Sequence, residues 1–196
     1  MNLYPIFSDF LSAEKLDLDV KTLALECNRL KNKKTSRYIS NVGGYQTTIA
    51  FEDLTENLQN LKRIILKYCN IIHKELGFKG EQYMDEMWLN INQKGNSNEL
   101  HNHAGYFFSG VFYIQTDSKS GCIKFENTNI ANQFTFSDNL VEKYNCYNSK
   151  KYSIQPEENM LLIFPSWLSH YVLPSESQKD RISIAFNTLV NYINKD

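Results

Sequence analysis

Residues 88–126 read WLNINQKGNSNELHNHAGYFFSGVFYIQTDSKSGCIKFE, and this stretch decides the fold class. Short runs of aromatic and β-branched residues alternate with clusters of Gly, Asn, Ser and Asp, the pattern of strands joined by turns. The texture continues through QFTFS at 133–137, KYSIQ at 151–155, NMLLIFP at 159–165, HYVL at 170–173 and RISIAFNTLV at 181–190. That makes about eight short strands, with no helix long enough for a βαβ crossover between any two of them. Antiparallel pairing in a double-sheet jelly roll is therefore predicted, a mainly β fold whose open mouth suits a metal and a small ligand.

Upstream, the periodicity changes from 2 to about 3.6. In SAEKLDLDVKTLALECNRLK (12–31), Leu16, Val20, Leu23, Leu25 and Leu30 predict a first helix, with Ser12 and Asp9 as N-cap candidates. A second helix is predicted from Leu54 to Leu76 on the stripe Leu58, Leu61, Ile65, Cys69 and Ile72, stopped by Gly77. GGYQTTIAF (43–51) reads as a short strand after a glycine turn. The two helices are expected to pack on one sheet from outside, giving an α+β layout. Residues 1–85 form a helical support region, 86–190 the jelly-roll core, and the whole chain one domain. The Asn-rich stretch 127–149 is the candidate insertion.

Composition narrows the function classes. The chain of 196 residues carries a formal net charge of −1, so no global field favours nucleic acid. The run Arg29, Lys31, Lys33, Lys34, Arg37 reads as a solvated helix end. No apolar run approaches the ~18 residues of a membrane span. Cys27, Cys69, Cys122 and Cys146 form no CxxC pair and no secretory signal precedes them. Reduced thiols in a cytoplasmic protein are expected. The oligomeric state is left open, a homodimer being compatible.

Three of the four histidines fall in one constellation. His101 and His103, two apart, leave one face of an extended strand and could chelate one ion. His170 returns in FPSWLSH, far enough along the chain to have crossed several strands. The fourth, His73, lies on the second helix and is expected to face solvent. Arg181 opens the next strand with Ser183 on its face, a planar guanidinium fork beside a hydroxyl that suits a carboxylate. Asn90, Asn92 and Tyr113 are further candidates to bond a co-substrate, and Trp167 to line a substrate opening. Trp88 reads as core. The bland alternative for Arg181 is a surface ion pair with Asp180 or Glu176. Since only neutral imidazole ligates, metal affinity is predicted to weaken as pH falls through roughly 6.5.

WLNINQKGNSNELHNHAGYFFSGVFYIQT, FEN and LLIFPSWLSHYVLPSESQKDRISIAFN resemble the Fe(II)/2-oxoglutarate oxygenases of bacteria and marine phages. Those run W-x-N, H-x-H-P-G, S-G-x-Y-Y, F-P-S-W-L-x-H and R-I-S-x-S-F-N. The resemblance is dense over 86–188 and specific in FPSWLSH and RISIAFN. It implies a double-stranded β-helix, Fe(II) on the histidines, 2-oxoglutarate anchored by Arg181, and O2 as oxidant. The implied reaction is hydroxylation of a C–H bond of a small molecule or peptide, with 2-oxoglutarate converted to succinate. Ala104 replaces the family's proline.

In the wider superfamily the iron set is two histidines and a carboxylate, and here His103 stands at the carboxylate's place. Three completions are open: all three histidines, a carboxylate from Glu99 or Glu126, or an open site at Gly105. The chain also fits part of a cupin pattern through Gly95, His101, His103 and Gly110. That leaves a metal-binding cupin-type dioxygenase, or a non-catalytic binding protein without 2-oxoglutarate, as the alternative. Arg181 separates the two, because a cupin acting on another ligand needs no arginine there.

Overall fold

A computed structural model describes residues 1–129 and 137–192. The predicted strand at 133–137 therefore lies, Ser137 apart, outside the described residues.

Two helices lie in the amino-terminal part. The first, α1, spans Val20–Lys31 rather than starting at Ser12. Its cap is Asp19, whose carboxylate accepts from the backbone N–H of Lys21 and of Thr22 at 3.1 Å each, filling donors the first turn leaves unpaired. Ser12–Lys15 instead forms β1, paired antiparallel with Met160–Ile163. Tertiary pairing there overrides a helical pattern read from apolar spacing alone. The second helix, α2, spans Glu56–Glu75 with Thr55 Oγ1 accepting from the Leu58 N–H at 3.2 Å. Gly77 follows at φ +77°, the left-handed position that ends a helix cheaply only at glycine. Leu58, Leu61, Ile65 and Cys69 form its buried stripe.

His73 corrects the sequence reading. It is fully buried, its Nε2 3.0 Å from the Lys79 carbonyl and its Nδ1 2.9 Å from Gln82 Nε2. One ring nitrogen donates and the other accepts, so a neutral imidazole satisfies both partners and can stand in the core. Phe78, Phe107 and Phe108 pack around the ring.

The remaining strands are β2 (Asn41–Val42), β3 (Tyr45–Thr48), β4 (Glu81–Asn92), β5 (Ser97–His101), β6 (Phe108–Gln115), β7 (Ile123–Glu126), β8 (Lys151–Ile154), β9 (Met160–Pro165), β10 (His170–Val172) and β11 (Arg181–Asn191). Among the described residues, a six-stranded sheet runs β1-β9-β6-β11-β4-β3 and a five-stranded sheet runs β2-β5-β10-β7-β8. All pairings are antiparallel. The amino-terminal region thus supplies edge strands to both sheets as well as two helices.

The period of 2 sorts the central strands of the larger sheet into two layers. Met87, Leu89 and Ile91 of β4, Phe108, Phe112 and Ile114 of β6, Leu161 and Ile163 of β9, and Ile182, Ile184 and Phe186 of β11 share one core with the stripes of α1 and α2. The intervening residues face the smaller sheet. Val111, Tyr113, Leu162 and Phe164 pack there with Ile123, Phe125 and Leu168. Gly110 sits where a Cβ would lie 2.4 Å from the Leu162 carbonyl, so only glycine lets β6 and β9 close at that point. The helix layer holds the larger sheet from behind and leaves its inner face for the site.

Candidate metal centre and anion pocket

A cleft opens between the two sheets and is lined by residues of both. Its walls are rungs of paired strands. On the larger sheet, Ser183 stands opposite both Asn90 and Tyr113, and Ala185 opposite Trp88 and Val111. Arg181 stands opposite Asn92. On the smaller sheet, His170 stands opposite both His101 and Phe125, and Val172 opposite Asn98 and Ile123.

The three histidines converge. His101 is the last residue of β5, and His103 lies in the turn beyond it rather than on the same strand. The His103 N–H donates to the Ser166 carbonyl at 2.8 Å, and the Ser166 N–H to the Phe107 carbonyl at 3.2 Å. The FPSWLSH turn therefore clamps the HNH turn. Ring centroids are 4.4 Å apart for His101–His170, 5.0 Å for His101–His103 and 5.3 Å for His103–His170. One nitrogen from each lies within 4.8 Å of the others. From that spacing, small ring rotations reach the ~2.1 Å of an imidazole–metal bond.

The orientation of the rings fits the same purpose. Nδ1 of His101 bonds the Glu99 carbonyl at 2.7 Å and Nδ1 of His170 the Leu168 carbonyl at 2.8 Å. Those bonds fix the tautomer and leave each Nε2 lone pair free to ligate. Burial beside Phe125, Phe164 and Trp88 penalises the charged form. It pushes His170 down to about 3 and His103 to about 4, and lowers His101. The cluster is thus neutral at physiological pH, as ligation requires. The donor set fits Fe(II). Glu99 is exposed, and Glu126 is paired with Lys151 at 2.9 Å. Among the described residues the group assembled for a metal consists of the three histidines alone.

Arg181 makes the second half of the cleft. It is 3% exposed, so the surface ion pair is excluded. Its Nη1 donates to the Gly121 carbonyl and its Nη2 to Asn92 Oδ1, both at 3.0 Å, while Nε has no partner. Among the described residues no carboxylate pairs with it. A buried cation with neutral partners and a spare donor is costly unless an anion completes it. Tyr113, fully buried, has its hydroxyl pushed up to about 12 by burial and faces the same cleft with Ser183 and Asn90.

Two candidates lie elsewhere. Asn92 does not line the cleft; it is 2% exposed and bonded to Arg181. Trp167 is also outside the lining, 53% exposed, its indole donating to Asp9 at 3.2 Å. Its neighbour Leu168 takes the inward position. The sequence missed Trp88, which lines the cleft with its ring 5.6 Å from His103. Its position two residues before Asn90 on one strand was the available signal. It also missed Asn98 and Ser40, which no local pattern marks.

A family model described as "Putative 2OG-Fe(II) oxygenase" matches residues 86–187. No match was found among curated proteins. Among solved structures, the chain is similar to a Pseudomonas putida prolyl-4-hydroxylase, with a TM-score of 0.67, 17% identity and 93% of each chain covered. It is also similar to the non-heme alpha-ketoglutarate-dependent epimerase SnoN of nogalamycin biosynthesis (0.68, 10%, 93% of this chain and 79% of that one). A Trichoplax adhaerens prolyl hydroxylase in complex with a hypoxia-inducible-factor peptide is another (0.62, 13%, 92% and 83%). These likenesses show the double-stranded β-helix fold.

Proposed function

The chain belongs to the 2OG-Fe(II) oxygenase family, and from that premise we propose that His101, His103 and His170 hold the iron and Arg181 the distal carboxylate of 2-oxoglutarate. The protein is an Fe(II)- and 2-oxoglutarate-dependent oxygenase with O2 as co-substrate. The observation that carries the assignment of residues is the pairing, in one cleft, of a neutral three-imidazole set with a buried guanidinium that has no counter-ion among the described residues.

Bound iron supplies the oxidising chemistry, with 2-oxoglutarate leaving as succinate and CO2. The chain's own groups orient and exclude. Arg181 and Ser183 receive the far carboxylate, Tyr113 and Asn90 flank Ser183 on its own rung, and Phe125 and Phe164 keep water from the back of His170. Three neutral ligands leave the centre one unit more positive than a two-histidine, one-carboxylate set, which favours a dianionic 2-oxoacid. The reaction proposed is hydroxylation of a C–H bond, the substrate reaching the mouth past Trp88 and His103. The prolyl hydroxylase seen with a peptide and the epimerase of a small-molecule pathway make a peptide or a small metabolite equally compatible classes. No helix is long and apolar enough to cross a membrane among the described residues, and a cytoplasmic setting is proposed.

Anaerobic addition of 2-oxoglutarate to the Fe(II)-loaded protein tests the reading, since a bidentate chelate gives a visible absorption band. Wild type should develop it and convert 2-oxoglutarate to succinate under air. An Fe(II)-loaded protein that develops no band would move the cupin alternative to the front.

A further inference from the structure

We propose that Asn92 is a positioning residue that acts through Arg181 and sets the protein's preference for a 2-oxoacid with a charged tail. The inference rests on Arg181 being the anion anchor.

Two acceptors hold the guanidinium, Gly121 O and Asn92 Oδ1, each at 3.0 Å, and both are neutral. Each is itself fixed. A Cβ on Gly121 would lie 1.9 Å from the Leu173 carbonyl, so the backbone of that loop is pressed against the turn after β10 and admits no side chain there. Asn92 is the last residue of β4, in register with Arg181 itself, and 2% exposed. The fork is therefore aimed without being neutralised, and Nε is left unsatisfied.

Chemically, this is the distinction between orienting a cation and pairing it. A carboxylate at the position of Asn92 would accept the same hydrogen bond with nearly the same shape, yet would satisfy the charge from within the protein. The incoming carboxylate would then meet a neutral pair and a nearby negative charge in a poorly screened interior. An amide at this place keeps the full attraction for the ligand. The chemical class selected is a dicarboxylic 2-oxoacid, against 2-oxoacids whose tail carries no charge.

The test compares Asn92→Asp, Asn92→Ala and Arg181→Gln with wild type by calorimetric titration of Mn(II)-loaded protein with 2-oxoglutarate and with 2-oxobutyrate. Wild type should prefer 2-oxoglutarate. Asn92→Asp should weaken 2-oxoglutarate by about a hundredfold while leaving 2-oxobutyrate within about threefold, so the preference collapses. Asn92→Ala, which loses the hydrogen bond but adds no charge, should weaken 2-oxoglutarate by only about tenfold. The order is the decisive result. A merely structural role predicts that the isosteric aspartate is tolerated better than alanine, and that outcome overturns the proposal. Ligand-free Asn92→Asp should melt at or above the wild-type temperature, because its new charge is paired; a clear drop overturns it as well. If Arg181→Gln leaves 2-oxoglutarate binding unchanged, the anchor assignment itself has failed. If Arg181→Gln abolishes the preference and Asn92→Asp does not, only the role of Asn92 has.

Discussion

In the larger sheet, β6 buries every residue from Phe108 to Ile114; in the smaller one, β8 exposes Lys151, Tyr152 and Ser153. The contrast has one cause. The larger sheet is covered by α1 and α2 on one face and by the second sheet on the other, so both sets of alternating side chains are apolar or site-forming. The smaller sheet meets protein mainly through its inner face. The work of the cleft divides along the same line. The twice-covered sheet holds Arg181 and its neighbours, where a lone cation must be kept from water. The once-covered sheet and the turn after it hold the histidines at the mouth, where a metal and a substrate need access.

The largest effect should come from the smaller sheet's side of the cleft. His170→Ala is expected to lower Fe(II) affinity by more than the ~10–100-fold typical of outer-shell changes, with turnover lost and the fold retained. Metal analysis together with a far-ultraviolet spectrum checks both halves. Stoichiometric iron in that variant would sink the three-histidine assignment.

On the larger sheet's side, Arg181→Ala should keep iron but weaken 2-oxoglutarate by ~2–5 kcal/mol, roughly thirtyfold to several-thousandfold. Arg181→Lys should recover part of that, since an ammonium makes no bidentate contact. Titration of the chelate band measures both. Equal loss of metal in Arg181→Ala would mean that the two sheets do not act separately.

Behind the larger sheet, Leu61→Ala removes a fully buried side chain from α2 and should cost ~2–5 kcal/mol of stability. Tyr152→Ala, at a residue 61% exposed on the smaller sheet, should stay within ~0.5 kcal/mol. Urea midpoints decide, and equal costs would erase the difference in cover.

The smallest effect concerns pH. The folded protein holds His101, His103 and His170 below the ordinary value of ~6.5. The metal-free unfolded chain therefore takes up more protons as pH drops. Stability is fully present above ~6.5 and is lost as pH falls toward the folded values. Urea midpoints at pH 7 and 5 should show the decline. Metal affinity, by contrast, should fall off at lower pH than the ~6.5 expected of solvated imidazole, because burial holds all three rings below that value. An affinity that persists below pH ~6.5 is thus compatible with histidine ligation.

The amino-acid pattern by itself determined β3, the second half of β4 and β6 to β11, though not β1, β2 or β5, because runs of aromatic and β-branched residues between turn residues are a local signal. It also determined α2, whose stripe and glycine stop are both local. Motif order brought His101, His103, His170 and Arg181 forward as a set. Tertiary structure alone decided that Ser12–Lys15 is a strand, since its hydrogen bonds go to β9. It alone put His73 inside, because the partners that make a buried imidazole tolerable, Gln82 and the Lys79 carbonyl, come from beyond the helix. It brought Ser40 and Asn98 to the cleft and moved Trp167 out of its lining. And it made Asn92 a partner of Arg181 rather than a wall of the cleft. Burial pattern is written in neighbouring residues; which charge stands unpaired depends on strands far apart in the chain, so only the folded register reveals it.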